Sequence, residues 1–174
     1  MTIRKILTEP DSFLRQKSIN VETVDDDIRT LMDDMLETMY SAPGIGLAAI
    51  QVGVPKRVIV IDLSKDGEKK NPQYFVNPKI ITNSDTEASY EEGCLSVPGQ
   101  FAEISRPDKC KVKFLNYNGE ESTLEAEGLL ATCIQHEMDH LEGILFIDYL
   151  SKLKKDMIVK KLSKQKKSLE RVIV

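Results

Sequence analysis

The chain has 174 residues, of which 41% are hydrophobic and 30% charged, with a formal net charge of −4. That length suits one well-buried core and is short for two domains; no apolar run approaches the roughly 18 residues that span a bilayer. Cysteines at positions 94, 110 and 133 make no CxxC pair, and Met1-Thr2-Ile3-Arg4-Lys5 leads into no apolar signal region, which argues against a disulfide framework, a zinc finger and secretion, and for the cytoplasm.

Asp25-Asp26-Asp27 opens a run with apolar residues at Ile28, Leu31, Met32, Met35, Leu36, Met39 and Tyr40. This is a helical period with acids at its positive end, so an amphipathic helix is expected over 25–41. Ser41-Ala42-Pro43-Gly44 stops it, and 44–53 reads as a small-residue loop. From Arg57 to about Asn116 the texture is β: strands are expected over 57–62, 74–76, 79–82 and 109–115. Asn118-Gly119 then forms a hairpin turn to a partner strand near 122–126. Because the strands come as a block between helices, the expected fold is α+β. Antiparallel sheets surround a buried helix over 127–141, with a short strand at 144–147 and a C-terminal helix from about 150 to 171. That tail carries eight lysines and Arg171 against Asp156 and Glu170, a local +7 on a body of −11. Its thin apolar seam is Leu153, Met157 and Leu162, and the whole of 1–174 is read as one domain.

The only two histidines lie in His136-Glu137-Met138-Asp139-His140. Four positions return the imidazoles to within about 40° of each other on one helix face. Two neutral imidazoles so placed can hold a metal ion, while Glu137 on the flank can reach a water and handle its proton. Leu129, Thr132 and Cys133 share the histidine face; Leu130, Ile134, Met138 and Leu141 lie opposite. A catalytic tetrahedral site needs a third protein ligand and keeps one position open. Cys94 is the first candidate, in an irregular segment bounded by Gly93 and Pro98; Cys133, on the correct face, is its rival. Gln51 offers an amide donor that cannot ionise near neutral pH, which suits oxyanion stabilisation.

Three stretches together, Gly44-Ile45-Gly46-Leu47-Ala48-Ala49-Ile50-Gln51, Glu92-Gly93-Cys94-Leu95-Ser96 and Gln135-His136-Glu137-Met138-Asp139-His140, resemble the GxGxAAxQ, EGCLS and QHExDH motifs of peptide deformylases, in the same order and over about residues 3–150. The resemblance implies a hydrolase that removes the N-formyl group from the N-terminal methionine of new polypeptides. It implies Cys94, His136 and His140 as metal ligands, Glu137 as general acid/base, and the Gln51 amide and Leu95 N–H at the oxyanion. Ile45 and Tyr90, with Leu129, Cys133 and His136 from the helix face, would line the methionine pocket. Gly46, Glu92 and Gly93, from the matched motifs, join the substrate-binding set. The implied ion is ferrous iron, although zinc, nickel or cobalt suit the same donors.

Many bacterial relatives carry a basic residue where this chain has Phe101, which bears on substrate contacts and not on the chemistry. Asp139 is expected to pair with a base, Arg106 being one candidate. The lysine-rich tail is either a solvated face or a ribosome-docking element. The rival functions are an HExxH metallopeptidase, whose third ligand would lie downstream where no histidine remains, and a non-catalytic metal- or RNA-binding module.

Overall fold

The computed structural model describes residues 1–173, with side chains through Leu169. Asp25 caps helix α1 (Asp26–Ser41), its carboxylate accepting from the Ile28 N–H at 3.0 Å, which satisfies a backbone donor that the first turn leaves free. Five strands form one antiparallel sheet in the order β1-β2-β3-β6-β7: β1 Gly46–Ala48, β2 Val58–Ile61, β3 Gln73–Asn83, β6 Lys109–Leu115 and β7 Glu121–Glu127. Two further strands, β4 (Glu87–Cys94) and β5 (Val97–Pro107), pair only with each other.

The all-apolar β2, Val-Ile-Val-Ile, is explained by burial of both sheet faces, since successive side chains point to opposite sides. Val58 and Val60 join Leu47 and Val76 against Met32, Met35 and Met39 of α1. Ile59 and Ile61 join Ala48, Phe75 and Val112 against Ala131, Ile134 and Leu141 of helix α2 (Leu129–Leu141). Helix α2, carrying both histidines, is therefore a core helix and a rigid support for them. This is the α+β architecture with antiparallel sheets that the sequence implied.

Several expectations are corrected. The segments expected as separate strands at 74–76 and 79–82 are one strand, β3, with a register shift between Val76 and Lys79 and a left-handed Asn77 at φ 50°. The supposed irregular segment around Cys94 is a strand, tight turn and strand, with Cys94 the last residue of β4. The loop at 44–53 contains β1 and a 3-10 turn, Ala49–Val52. No strand forms at 144–147. Leu145 is extended and Phe146–Tyr149 is a 3-10 turn, in which the Asp148 carboxylate accepts from the Leu145 N–H at 3.1 Å and folds the chain back. Helix α3 (Lys152–Ile173) docks through Ile158, Val159 and Leu162 onto Val97, Ile104 and Phe146. The expected seam fails at two of its three positions, Leu153 and Met157 being 72% and 63% exposed.

Candidate metal centre

The centre forms where β4 ends against the inner face of α2. Cys94 Sγ, His136 and His140 each present one ligand atom, all within 4.8 Å of one another. Cys94 Sγ lies 3.3 Å from His140 Nε2. One turn of helix sets the histidines with ring centroids 5.2 Å apart. Of the two cysteines considered as third ligand, Cys94 joins this cluster, whereas Cys133 lines the cavity beside it.

The imidazoles are held differently. His136 Nδ1 faces Glu92 Oε1 at 2.8 Å, so the hydrogen-bonded tautomer leaves Nε2 as a lone-pair donor. Without a cation, burial opposes charge on His136, yet the Cys94 and Glu92 contacts raise its pKa well above the ordinary value. Burial, together with the charges of His136, Arg106 and Arg15, lowers that of His140 well below the ordinary value, which keeps its ring neutral. A cysteine sulfur and two imidazoles, converging with room for a small ion, fit a borderline transition metal, and both imidazoles are buried.

Glu92 was expected to line the substrate site, and it does border the cavity. Its carboxylate is nevertheless committed elsewhere. Arg106 donates to both oxygens, Nε to Oε2 at 2.7 Å and Nη2 to Oε1 at 3.0 Å. The same guanidinium donates from Nη1 to Asp139 Oδ2 at 2.9 Å, which is the pairing anticipated for Asp139. The Tyr149 hydroxyl also donates to that oxygen, at 2.7 Å. Arg106 thus ties β4, β5 and α2 together behind His136, and Glu92 orients the ring. Neither the Glu92 contact nor Ser96 was foreseen. Strand alternation says which face Glu92 occupies but not which helix residue stands opposite.

Glu137 is buried with Oε2 lacking any protein partner. Burial pushes its pKa up to about 7, with His136 and Arg106 pulling it down and Glu92 and Asp139 pushing it up. Gly46 makes its position possible: a Cβ there would stand 2.6 Å from Glu137 Oε1. Gln51 is fixed at both ends of its amide. Oε1 accepts from the Ala48 N–H at 2.9 Å, while Nε2 donates to Ser96 Oγ at 3.0 Å and faces Cys94 Sγ at 3.6 Å. Its N–H₂ group is therefore aimed at the centre. Leu95 lies in the turn between β4 and β5 and packs against Gly44, where a Cβ would come within 2.6 Å of Leu95 Cδ1.

These groups open into a cavity of about 430 Å³, lined among others by Ile45, Gly46, Tyr90, Gly93, Leu129 and Cys133. All the sequence-identified site residues except His140 border it; His140 holds the centre from behind. Burial and the nearby Glu137 and Glu92 charges push the Cys133 thiol up to about 12, so it stays protonated as an apolar wall.

A family model described as polypeptide deformylase matches residues 3–156. The chain belongs to the peptide deformylase family. It is 67% identical over 174 residues to the peptide deformylase of Pelagibacter ubique, covering 100% of both chains. It is 62% identical over 168 residues to that of Phenylobacterium zucineum, covering 97% of this chain and 99% of the other. The structure superposes on the Ehrlichia chaffeensis deformylase in complex with actinonin with TM-score 0.91 at 46% identity, covering 95% and 98% of the two chains. For a Legionella pneumophila deformylase the values are 0.89 and 48%, covering 98% and 99%. Deformylases are metal-dependent hydrolases, and the Cys94/His136/His140 cluster of this chain is able to hold a metal ion. No helix of the described residues is long and apolar enough to cross a membrane.

Proposed function

We propose that this chain hydrolyses the formyl amide at the N-terminal methionine of newly made polypeptides, and that Cys94, His136, His140, Glu137, Gln51 and Leu95 carry the reaction. The observation supporting this most directly is a buried carboxyl, poised to titrate near neutral pH, beside a three-donor metal cluster at the floor of an apolar cavity. Cys94, His136 and His140 would hold a divalent ion, which would supply Lewis acidity and lower the pKa of a water molecule. Water adds to the formyl carbon, the carbon–nitrogen bond breaks, and formate and a free α-amine leave. Glu137 takes the proton of the attacking water and returns it to the departing nitrogen. The Gln51 amide and the Leu95 N–H face the oxygen on which negative charge develops, where each such donor is worth about 2.7–4 kcal/mol. Ile45, Gly46, Tyr90, Gly93, Leu129 and Cys133 surround the first side chain, an unbranched thioether that suits a protonated, apolar slot.

We infer ferrous iron as the native ion from the family resemblance; the same donors accept zinc, nickel or cobalt. The enzyme acts in the cytoplasm as one catalytic domain over 1–174. Its lysine-rich α3 is proposed to meet ribosomal phosphates, which salt-dependent pelleting with ribosomes tests against a chain ending at Leu150.

The deciding experiment is formate release from a formyl-Met tripeptide by anaerobically prepared protein, with bound metal quantified in the same sample. Turnover should track metal content. Glu137→Ala should retain metal and lose about 10²–10⁴-fold in kcat. Fully metallated wild-type protein that releases no formate, or cleaves internal peptide bonds instead, would refute the assignment.

A further inference from the structure

The two donors assigned to the oxyanion sit on separate short turns, and each turn leaves a backbone carbonyl for an outside partner. Gln51 belongs to the 3-10 turn Ala49–Val52, which closes through the Gly53 N–H on the Ala49 and Ile50 carbonyls and through the Val54 N–H on Ala49. The Gln51 carbonyl is not used in that closure. Leu95 and Ser96 form the two-residue turn between Cys94 and Val97, which pair in the hairpin register. Ser96 is fully buried, so its carbonyl also requires a donor from the protein.

One stretch of chain supplies both partners. The Leu7 N–H donates to the Gln51 carbonyl at 2.7 Å, and the Glu9 N–H donates to the Ser96 carbonyl at 2.8 Å. Two residues is the spacing at which an extended backbone repeats its facing, so one short segment can present both donors to the same side. The segment is fixed on either flank. Before it, the Arg4 N–H donates to Thr38 Oγ1 at 2.9 Å and Arg4 Nε to Asp34 Oδ2 at 3.0 Å, both on α1. After it, Asp11 caps the turn Ser12–Arg15 by accepting from the Phe13 N–H at 2.9 Å, and Leu14 is fully buried. Gln51 and Ser96 are also joined to each other through the Nε2–Oγ bond, so the two prongs grip both sides of the hydrogen bond that aims the amide. Neither Leu7 nor Glu9 borders the cavity.

We propose that Leu7 and Glu9 are positioning residues whose backbone N–H groups set the oxyanion site. Leu7 fixes the turn that carries the Gln51 amide, and Glu9 fixes the turn that carries the Leu95 N–H. The proposal rests on the deformylase reading, in which those two groups meet the developing charge. Donors of this kind act as charge builds in the transition state, and their strength depends on alignment. Loss of a prong therefore lowers kcat and leaves KM in place.

The test exchanges one backbone N–H for an ester oxygen through the α-hydroxy acid analogue, which keeps the side chain. The exchange is made at Leu7, at Glu9 and, as a control, at Ile6, whose N–H bonds to none of the described residues. With metal-loaded protein and formyl-Met-Ala-Ser, kcat per bound metal should fall about tenfold for the Leu7 and Glu9 esters at unchanged KM, and hold for the Ile6 ester. In a Gln51→Ala background the Leu7 ester should cost nothing further, because the group it positions is gone; general loosening would cost the same in both backgrounds. A readout independent of turnover is the NMR signal of the Gln51 side-chain amide in isotope-labelled, zinc-loaded protein, which the Leu7 ester should shift and the Ile6 ester should not. Wild-type kcat in either prong ester, a Leu7 loss undiminished in Gln51→Ala, or an unmoved Gln51 signal would overturn the proposal. Failure of the deformylase reading is distinct: the wild type would then release no formate, while the Leu7 ester would still shift the Gln51 signal.

Discussion

Gly46 is the residue through which the small-residue motif reaches the chemistry. It lies in β1 with no left-handed torsion to require a glycine, so its need is steric: its α-carbon faces the Glu137 carboxylate closely enough that a methyl would stand 2.6 Å from Oε1. Gly46→Ala should therefore fold and bind metal normally while kcat falls at least about tenfold, because a displaced general base loses alignment quickly. Wild-type kcat in that variant would show that Glu137 moves aside at no cost. The cysteines offer a second comparison at this scale. Burial raises the pKa of Cys110 and pushes Cys133 up to about 12, while Cys94 is half-buried at the cavity and shielded only when a metal occupies its sulfur. Stripping the metal at neutral pH should direct iodoacetamide first to Cys94, with Cys133 modified only on unfolding. Mass spectrometry of the tryptic peptides reads this out, and faster labelling of Cys133 would contradict it.

The metal helix is the element most legible in the sequence, for a physical reason. Helix period is local, so a spacing of four fixes two imidazoles on one face without knowledge of any partner. The same arithmetic separated Leu129, Thr132 and Cys133, which line the cavity, from Leu130, Ile134, Met138 and Leu141, which pack toward the sheet. The β4–β5 hairpin was illegible because its strands mix small, polar and acidic residues with few apolar ones, and the buried Val97 and Ile104 find their partners far along the chain, in the turn after α2 and in α3. With the hairpin went the role of Glu92, which needs Arg106 from β5 and His136 from α2 together. That triple junction makes a strong prediction. Arg106→Ala leaves Glu92 buried with its main counter-charge removed and Asp139 held by the Tyr149 hydroxyl alone, and breaking such a pair costs about 3–5 kcal/mol. Urea unfolding of the metal-loaded protein should show that loss, along with weaker metal retention through a loosened His136. A change below about 1 kcal/mol would mean that water reaches Glu92 readily.

Across the whole molecule, the catalytic centre is held by elements distant in sequence, and one polar cluster fastens the N-terminal segment, the turn after α2 and the start of α3. Arg15 donates to Asp148 Oδ2 at 2.6 Å and to the Gly143 carbonyl at 3.3 Å, and Lys155 Nζ lies 2.8 Å from Asp148 Oδ1. No periodicity in the sequence could assemble these groups, since the contact spans 133 positions. Burial pushes the Asp148 carboxyl up, but the bonds from Arg15, Lys155 and the Leu145 N–H outweigh it and hold the pKa below the usual aspartate range. The unfolded chain, with Asp near about 3.9, binds that proton at higher pH than the folded one does. The stability this group contributes is therefore fully present above about pH 4 and fades as pH falls from there through the lower folded value. Asp148→Asn, which keeps shape but not charge, should be less stable than wild type at pH 7, and the gap should close below about pH 4. Measured on metal-free protein of both kinds, so that loss of the ion in acid moves neither curve, a gap independent of pH would assign the cluster's contribution to packing alone and leave Arg15 and Lys155 without a charge-dependent part in holding α3.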